Sequence, residues 1–224
     1  MRPLAVVCLS GGMDSCVTAA LAATRFDLAA LHADYGQRTE AKERACFEAL
    51  AEHFRARHRM VVGFPALRQV GGSSLTDPAL PVREGEPEPG VIPTSYVPFR
   101  NAHLLAAATS WAEVLGAEAI FVGAVWEDSS GYPDCRPEFY RAYEEAIRHG
   151  TRPETRIRIE TPVIRMSKAE IVRRGRELGA PFEKTWSCYQ AEDRACGACE
   201  SCRLRRRAFA EAGATDPIPY RSRA

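Results

Sequence analysis

The sequence lacks any apolar run close to the roughly 20 residues that a membrane-spanning helix needs. At the N-terminus, no basic region, apolar region and small-residue cleavage site follow one another, so the pattern of a secretory signal peptide is missing as well. We therefore expect a cytoplasmic protein that has no membrane partner.

An excess of charge of either sign is also lacking. The 224 residues include 30 Lys and Arg against 29 Asp and Glu, for a net charge of +1. Because such a balance gives no overall attraction toward nucleic acid, we expect no nucleic-acid partner. With 46% hydrophobic residues, the chain can bury a full core as one domain, alone or with an appendage.

Short apolar runs alternate with helical patterns along the chain. This alternation predicts an α/β fold in which helices flank a parallel sheet. Residues 46–54 and 104–115 have the period of helices, and Ser167 with Glu170 has the spacing of a capping box. The predicted buried strands are residues 4–9, 28–32, 60–64 and 119–122.

A glycine-rich loop, Ser10-Gly-Gly-Met-Asp-Ser15, follows the first predicted strand. Gly11 and Gly12 have no Cβ, so successive backbone N–H groups can point at phosphate oxygens, and the positive end of the next helix faces the same anion. The loop lacks the Gly-Lys-Ser/Thr of a Walker A motif and the third glycine of a dinucleotide fingerprint. A different nucleotide chemistry is indicated.

The loop and the first turns after it are the expected nucleotide site. In open α/β sheets, ligands bind at the carboxyl ends of the strands, which is where this loop lies. We expect Asp14 or Ser15 to cap the helix. The expected nucleotide-binding residues are Leu9, Ser10, Gly11, Gly12, Met13, Asp14, Ser15, Cys16, Val17 and Thr18.

Residues 65–98 interrupt the alternation of strands and helices with glycines, serines and seven prolines. A loop of this length is usually a functional lid or a disordered segment. We favour a flexible flap over the nucleotide site, with an incidental surface insertion as the alternative. The expected domains are a nucleotide-binding domain over residues 1–180 and a cysteine-rich arm over residues 181–224.

Four cysteines, Cys188, Cys196, Cys199 and Cys202, cluster near the C-terminus, and two Cys-x-x-Cys steps share Cys199. Four thiolates at this spacing can close a tetrahedron around Zn²⁺ and leave no open position, so we expect one structural zinc ion per chain. Two disulfides are disfavoured by the expected compartment. An iron–sulfur cluster is the serious alternative.

The glycine-rich loop resembles the PP-loop of the ATP pyrophosphatases, which bind ATP through its pyrophosphate and usually cleave it to AMP and pyrophosphate. Further motifs are similar to those of one family, the 7-cyano-7-deazaguanine synthases of queuosine biosynthesis. These motifs are Tyr35-Gly-Gln-Arg38, Val97-Pro-Phe-Arg-Asn101, Ser130-Gly-Tyr-Pro-Asp-Cys135, Thr185-Trp-Ser-Cys188 and Cys196-Gly-Ala-Cys-Glu-Ser-Cys202 followed by Arg. Their order and spacing carry the resemblance from about residue 4 to Tyr220. Thr39 departs from it, since family members usually carry His there.

The resemblance implies an adenine nucleotide α-hydrolase-like fold and a ligase that forms C–N bonds. It implies conversion of 7-carboxy-7-deazaguanine, ATP and ammonia to the 7-nitrile. A carboxylate is a poor electrophile, so its oxygen first attacks the α-phosphorus of Mg-ATP, and ammonia then displaces AMP to form the amide. Removal of the amide oxygen needs a second activation, which gives two adenylations in one site.

Within this resemblance, roles at the nucleotide are assigned by chemical type. The backbone N–H groups of residues 11–15 and the hydroxyls of Ser10 and Ser15 are expected to hold the departing pyrophosphate, while Asp14 orients Mg²⁺ through water. Residues 31–33, at the end of the second strand, are placed to touch adenine.

Five further residues are candidates for the substrate. Arg38, Arg100 and Lys168 are expected to neutralise the carboxylate or the pentavalent phosphorus. Asn101 and Asp134 are expected to read the edge of the deazaguanine. The alternatives are salt-bridged helix starts for the two arginines, a turn residue for Asp134 and a surface lysine for Lys168.

Two other features have ordinary interpretations. Cys135 could form a thioimidate with a nitrile, but a buried, unreactive thiol is the more common role. The basic run at residues 203–207 could contact nucleic acid, but we favour the solvated face of a helix whose buried side is Leu204, Ala208 and Phe209.

Other functions remain as alternatives. A PP-loop enzyme that modifies tRNA, of the thiolase or lysidine synthetase type, would use the basic run to contact RNA. A non-catalytic zinc module that senses nucleotide is the alternative from another class. A homodimer that buries part of the C-terminal arm is also expected.

Overall fold

A parallel sheet forms the centre of the protein. The computed structural model describes residues 2–85, 90–126 and 131–221. Its strands are β1 (Leu4–Cys8), β2 (Asp27–Asp34), β3 (His58–Gly63), β4 (Ala119–Val122) and β5 (Arg158–Glu160). They form one sheet in the order β3-β2-β1-β4-β5, in which all neighbouring strands are parallel. The predicted α/β fold is confirmed.

The four predicted strands are present, with bounds that differ from the prediction by two residues at most. Strand β1 is apolar and almost completely buried, because helices cover both faces of the sheet. Strand β5 was not predicted. It is only three residues long, with the sequence Arg-Ile-Glu, and as an edge strand it is bonded to a single neighbour.

Helices connect the strands. In the described residues they are α1 (Met13–Ala23), α2 (Glu40–His53), α3 (Pro65–Val70), α4 (Arg100–Leu115), α5 (Pro137–Gly150), α6 (Lys168–Glu177) and α7 (Glu200–Glu211). The predicted capping box at α6 is confirmed, since the Glu170 N–H donates to Ser167 Oγ and the Ser167 N–H donates to the Glu170 carboxylate. None of the helices over these ranges is long and apolar enough to cross a membrane.

Each face of the sheet has its own core. Val6 of β1 belongs to one core, in which Leu105 of α4 and Ile147 of α5 cover the sheet. Val7 points to the opposite face, because successive side chains of a strand alternate, and it belongs to the core that Phe47 of α2 completes. This two-sided burial accounts for the uninterrupted apolar sequence of the central strands.

The chain reverses its direction across the sheet at β1. From β1 it continues to β2 and β3 on one side, and it later crosses to β4 and β5 on the other side. The loop after β1 therefore lies at a topological switch point, where open α/β sheets form the crevice that binds ligands.

The C-terminal residues are attached to the sheet domain through a third core. Phe182 and Phe209 pack edge to face, with ring centroids 5.2 Å apart, against Val17 of α1 and Ile171 of α6. Residues after 181 thus share apolar packing with the helix that starts at the glycine-rich loop. The domain boundary at residue 180 stays a prediction.

Gly175 of α6 tests this third core. A Cβ at Gly175 would lie 2.3 Å from Phe182 Cζ and 2.7 Å from Val17 Cγ2. Alanine is about 1 kcal/mol better than glycine in an exposed helix, but overpacking typically costs about 1 to 3 kcal/mol. We expect Gly175→Ala to lower the free energy of unfolding by about 1 to 2 kcal/mol in urea denaturation.

The matched control is Gly150→Ala in α5, where a Cβ would meet no atom within 4 Å. It is expected to leave the stability unchanged or to raise it slightly. An equal response of both variants would contradict the tight contact at Gly175.

Candidate active site

A cavity of about 260 Å³ lies at the carboxyl ends of β1, β2 and β4. Apolar and aromatic side chains form most of its wall, and a few charged groups converge on it. Its lining includes Ser10, Asp14, Leu31, His32, Ala33, Glu43, Arg100, Asn101, Gly123, Cys135, Lys168, Trp186 and Arg205. A concave site of this kind at the switch point of a sheet is the usual place of an active site.

Hydroxyl groups hold the glycine-rich loop. The Gly12 N–H donates to Ser10 Oγ at 3.3 Å, the Ser10 hydroxyl donates to Ser15 Oγ at 3.1 Å, and the Ser15 hydroxyl donates to the Gly12 carbonyl at 3.0 Å. Helix α1 begins at Met13 with Gly12 at the N-cap position and no capping side chain. The prediction that Asp14 or Ser15 caps the helix is wrong, because both lie inside the first turn. Without a side-chain cap, N–H groups of this turn remain available to an anion.

Two glycines allow other backbone segments to approach the loop closely. Gly11 has a φ of +85°, and a Cβ there would lie 2.6 Å from the carbonyl oxygen of Glu43 in α2. Gly123 follows β4, and its Cβ would lie 2.8 Å from the backbone N and Cα of Ser15. Position 11 therefore requires glycine because α2 packs against it. This reason is separate from the one that the sequence suggested, which was close approach of a phosphate.

We call the glycine-rich loop at residues 10–15 the phosphate loop. An ion pair lies at the start of α1, the helix that follows this loop. Lys168 Nζ, from the first residue of α6, donates to Asp14 Oδ2 at 2.7 Å, and the Lys168 side chain is 12% exposed. The other carboxylate oxygen, Asp14 Oδ1, is buried without a hydrogen-bond partner among the described residues. A buried carboxylate oxygen without a partner suits a hard divalent cation such as Mg²⁺.

Six of the ten expected nucleotide-binding residues line the cavity, namely Leu9, Ser10, Gly12, Met13, Asp14 and Ser15. Gly11, Cys16, Val17 and Thr18 do not. Cys16 and Val17 are completely buried in the two cores that α1 shares with the sheet and with α6, and Thr18 is buried as well. Only the first turn of α1 therefore reaches the cavity.

Aromatic rings surround Arg100 at another part of the cavity wall. Arg100 Nη1 donates to the Tyr35 hydroxyl at 2.9 Å, and the guanidinium carbon lies 5.4 Å from the centre of the Tyr35 ring. Tyr132 and Tyr189 also line the cavity, and the Tyr132 hydroxyl donates to Ser95 Oγ at 2.9 Å. We call Tyr35, Arg100, Tyr132 and Tyr189 the aromatic wall. Such a wall suits a planar heterocycle that carries a negative group.

Asn101 and Asp134 are brought together. The Asn101 backbone N–H donates to Asp134 Oδ2 at 2.9 Å, and Asn101 Nδ2 donates to the Asp134 carbonyl at 3.0 Å. Asp134 is buried and does not line the cavity, whereas Asn101 and Cys135 do. Asp134 thus holds the start of α4 and positions Asn101. Ser130, which opens the motif around Asp134, lies outside the described residues.

Burial accounts for the state of the Cys135 thiol. It raises the pKa of Cys135 to about 11, so the group is a neutral thiol near pH 7. Asn101 Nδ2 lies 3.5 Å from its sulfur. This environment agrees with the interpretation of Cys135 as a buried, unreactive thiol.

Arg38 does not line the cavity. Its guanidinium donates instead to backbone carbonyls of the segment at residues 74–80. The acceptors are Ser74 at 2.7 Å, Asp77 at 3.1 Å, Pro78 at 3.2 Å and Leu80 at 2.7 Å. Arg38 therefore organises this segment, and its expected contact with the substrate stays a prediction.

The segment at residues 65–98 is packed against the domain where the structure describes it. Leu75 and Val97 are buried against Tyr35 and Leu67, and the Gly85 N–H donates to the Ala198 carbonyl in the cysteine-rich arm at 3.2 Å. None of its described residues lines the cavity. Residues 86–89 lie outside the described residues, and the motion of a flap stays a prediction.

Glu43 of α2 is a cavity-lining residue that the sequence did not reveal. Its carboxylate accepts hydrogen bonds from the Thr39 hydroxyl at 2.7 Å and from Gln37 Nε2 at 3.2 Å. Burial raises the pKa of Glu43 to about 7, although both hydrogen bonds lower it. The only signal in the sequence was the unusual residue at position 39, whose buried hydroxyl bonds this carboxylate.

The four clustered cysteines converge in space. Their sulfur atoms all lie within 4.8 Å of one another, and Cys196 Sγ is 3.9 Å from Cys202 Sγ. All eight cysteines of the chain are free, and no pair of them is joined by a disulfide. Backbone N–H groups point at the sulfurs, as the Cys196 N–H does at Cys188 Sγ (3.3 Å) and the Cys199 N–H at Cys196 Sγ (3.3 Å). A Zn–S distance of about 2.3 Å places tetrahedral ligands roughly 3.8 Å apart, so the donor set fits a tetrahedral metal ion.

Arg205 is buried, which corrects part of the interpretation of residues 203–207. Leu204, Ala208 and Phe209 are buried as predicted, but the Arg205 side chain is only 1% exposed. It forms a two-pronged ion pair with Asp216, at 2.8 and 2.9 Å, and donates to Thr185 Oγ1 at 2.8 Å. The helical pattern could not distinguish this arginine from its more accessible neighbours, because its partner lies in the irregular C-terminal tail.

Trp186 connects the arm to the phosphate loop. Its backbone N–H donates to the Gly11 carbonyl at 2.9 Å, and its indole N–H donates to the Ala191 carbonyl at 2.9 Å. The cysteine-rich arm is thereby joined directly to the loop that the sequence singled out.

A glycine-rich loop lies at the switch point of a parallel sheet, and the carboxylate in the first turn of its helix pairs with a lysine of α6. These features place the chain in the PP-loop class. The fold agrees with a solved 4-thiouridine synthetase, crystallised with RNA and ATP. That structure gives a TM-score of 0.52 at 18% identity, over 94% of this chain and 50% of the other. At this identity the similarity concerns the fold alone.

The family is defined by closer relatives. The family model described as Queuosine biosynthesis protein QueC matches residues 4–213. The proteins named 7-cyano-7-deazaguanine synthase of Chloroherpeton thalassium and Acidobacterium capsulatum are 57% and 55% identical, over 98% and 99% of this chain and 97% and 98% of their own lengths. The chain belongs to this family and is an enzyme of queuosine biosynthesis.

Gly123 tests the geometry of the loop. An added methyl group at Gly123 would overlap the backbone of Ser15. Since such overpacking typically costs about 1 to 3 kcal/mol, we expect Gly123→Ala to weaken ATP binding by roughly tenfold in isothermal titration calorimetry. Gly63→Ala, at the end of β3, is the control, because the nearest atom to its Cβ is 4.0 Å away. Unchanged ATP affinity of Gly123→Ala would contradict the close approach.

Proposed function

We propose that this enzyme converts 7-carboxy-7-deazaguanine, ATP and ammonia to 7-cyano-7-deazaguanine. The observation that carries the proposal is the similarity to curated synthases over nearly the whole length of both chains. The cavity supports it, since one connected space joins a phosphate loop to the aromatic wall. An acyl adenylate needs both kinds of surface at once, because it contains a heterocycle and a nucleotide.

At the phosphate loop, N–H groups from the first turn of α1 hold the pyrophosphate as it departs. Lys168 lies beside the same turn, 2.7 Å from Asp14, where its ammonium group stabilises charge on the transferring phosphorus. The Asp14 Oδ1 oxygen would hold Mg²⁺, and a bound Mg²⁺ would neutralise the phosphates. Leu31, His32 and Ala33 line the cavity at the end of β2, where they would contact the adenine.

At the aromatic wall, the rings of Tyr35 and Tyr132 offer flat surfaces to the deazaguanine, and Arg100 attracts its 7-carboxylate. Asn101 offers its side-chain carbonyl oxygen to the edge of the base, and Asp134 holds Asn101 in place. The carboxylate oxygen then attacks the α-phosphorus, and ammonia displaces AMP from the adenylate. The amide oxygen is adenylated in turn, and AMP leaves again as the nitrile forms.

The metal of the cysteine-rich arm is inferred to be structural Zn²⁺, and residues 181–224 form an appendage that it stabilises. Cys188, Cys196, Cys199 and Cys202 would provide all four ligands, so no position would remain for a substrate. The arm supports the phosphate loop through the Trp186 N–H and the Gly11 carbonyl. Its four thiols favour the cytoplasm, where thiols stay reduced.

A free base, and not tRNA, is the inferred substrate. Arg205, in the middle of the basic run, is buried in an ion pair and so offers no charge to RNA. Strong, salt-sensitive binding of tRNA would favour the tRNA-modifying alternative instead. The homodimer stays a prediction.

Analysis of products tests the reaction. Purified enzyme is incubated with 7-carboxy-7-deazaguanine, Mg-ATP and ammonium, and the products are identified by mass spectrometry. We expect the amide first and then the nitrile, with AMP and pyrophosphate released in each activation. Absence of both amide and nitrile would contradict the proposed function, and ADP with phosphate as the only nucleotide products would contradict the two adenylations.

Metal analysis tests the arm. We expect about one zinc per chain in protein purified without oxygen, and loss of that zinc with a lower melting temperature in Cys199→Ser. Cys46→Ser is the matched control, because Cys46 packs in the same apolar cluster as the four ligands without belonging to them. Iron with acid-labile sulfide in place of zinc would show an iron–sulfur cluster instead.

A further inference from the structure

Glu43 occupies a position between the two halves of the cavity. The carbonyl of Glu43 touches the phosphate loop at Gly11, and its carboxylate is tied by Gln37 to the turn that carries Tyr35. Glu43 and Asp14 are the carboxylates among the described lining residues. Asp14 is paired with Lys168, whereas the partners of the Glu43 carboxylate, Thr39 and Gln37, are uncharged.

The proposed reaction needs a proton acceptor beside the reacting nitrogen. Every N–H bond of ammonia must break before the nitrile is complete. When ammonia attacks the acyl adenylate, the new C–N bond leaves a cationic nitrogen, which must lose a proton before the C–O bond to AMP breaks. After the second adenylation the nitrogen carries two protons, and both leave as the C–O bond breaks and the triple bond forms.

We propose, on the basis of the proposed function, that Glu43 is the general base of both half-reactions. In the first, its carboxylate takes one proton from the cationic nitrogen of the tetrahedral adduct, and AMP leaves with the electron pair of the C–O bond. In the second, it takes one of the two remaining protons, and the other leaves with AMP. Between these steps the carboxylic acid returns its proton to water.

The surroundings of Glu43 suit a base that works near neutral pH. Asp34, the last residue of β2, raises the pKa of Glu43, and the Arg100 guanidinium on α4 lowers it. The Tyr35 hydroxyl and the Cys46 thiol also face it, and burial raises the pKa values of both, so they are neutral. A base whose pKa lies near the working pH combines an ionised fraction with sufficient basicity.

His32, the other titratable group nearby, is engaged. Its Nδ1 lies 3.1 Å from the Leu9 carbonyl, its Nε2 lies 3.2 Å from Asp34 Oδ1, and its ring stacks on Phe47. The side chain is 1% exposed. Glu43 is therefore the better placed acceptor.

The test separates activation from the steps at nitrogen. Glu43→Gln keeps the shape of the side chain and an oxygen that accepts from Thr39, but it removes the base. Carboxylate-dependent exchange of pyrophosphate into ATP, measured without ammonia, is expected to stay within a few-fold of the wild-type enzyme. Formation of amide and nitrile at saturating ammonia is expected to fall roughly a hundredfold or more.

The pH dependence supplies a second readout, with rates expressed against the concentration of unprotonated ammonia. The wild-type profile of kcat should fall on the acid side, around pH 7, as Glu43 becomes protonated, and Glu43→Gln should lack this limb. Thr39→Val removes a donor that stabilises the carboxylate, so the acid limb should move to higher pH.

Glu48→Gln, on the exposed side of the same helix, is the matched control and should behave as wild type. Equal losses of exchange and synthesis in Glu43→Gln would mean a structural role, and unchanged synthesis or an unchanged acid limb would also overturn the proposal. A wild-type enzyme that forms neither amide nor nitrile would contradict the proposed function itself, and the role of Glu43 with it.

Discussion

The site depends on one constraint, the close approach of three backbone segments to the loop after β1. Helix α2 comes against Gly11, the end of β4 comes against Ser15 at Gly123, and the Trp186 N–H bonds the Gly11 carbonyl. Backbone, and not side chains, therefore forms much of the wall behind the loop. A polyanion needs N–H groups at short range, and a loop that several elements hold from behind can present them with little reorganisation.

The cysteine-rich arm also helps to hold the loop after β1, although it lies at the other end of the sequence. The Asp216 carboxylate accepts hydrogen bonds from two guanidinium nitrogens of Arg205. Arg205 also donates to Thr185, one residue before Trp186. A buried ion pair is stable only where further hydrogen bonds satisfy its remaining groups, as they do here. The residues after 181 thus support the phosphate loop from behind, through the Trp186 N–H and the Gly11 carbonyl.

The sequence was sufficient for features whose cause is local or periodic. The central strands follow from apolar runs that two layers of helices bury, the capping box at Ser167 from side-chain spacing, and the cysteine quartet from ligand spacing. Contacts between residues that are far apart in the sequence left no comparable pattern in it. Arg38 has the chemistry of an anion-binding residue, yet carbonyls 36 to 42 residues away occupy it. Strand β5 is polar and short, and it exists because β4 offers it an edge.

Glu43 shows why the motifs alone give an incomplete description of the site. The motifs mark loops at strand ends, where chemistry is usually concentrated. Glu43 lies instead on a helix, one turn after Thr39, and faces the cavity because Gly11 permits α2 to come so close. A larger residue at position 11 would move the carboxylate as well as the phosphate loop. The glycine that the sequence assigns to phosphate binding therefore also places the group that we propose for proton transfer, and the two halves of the chemistry share one packing contact.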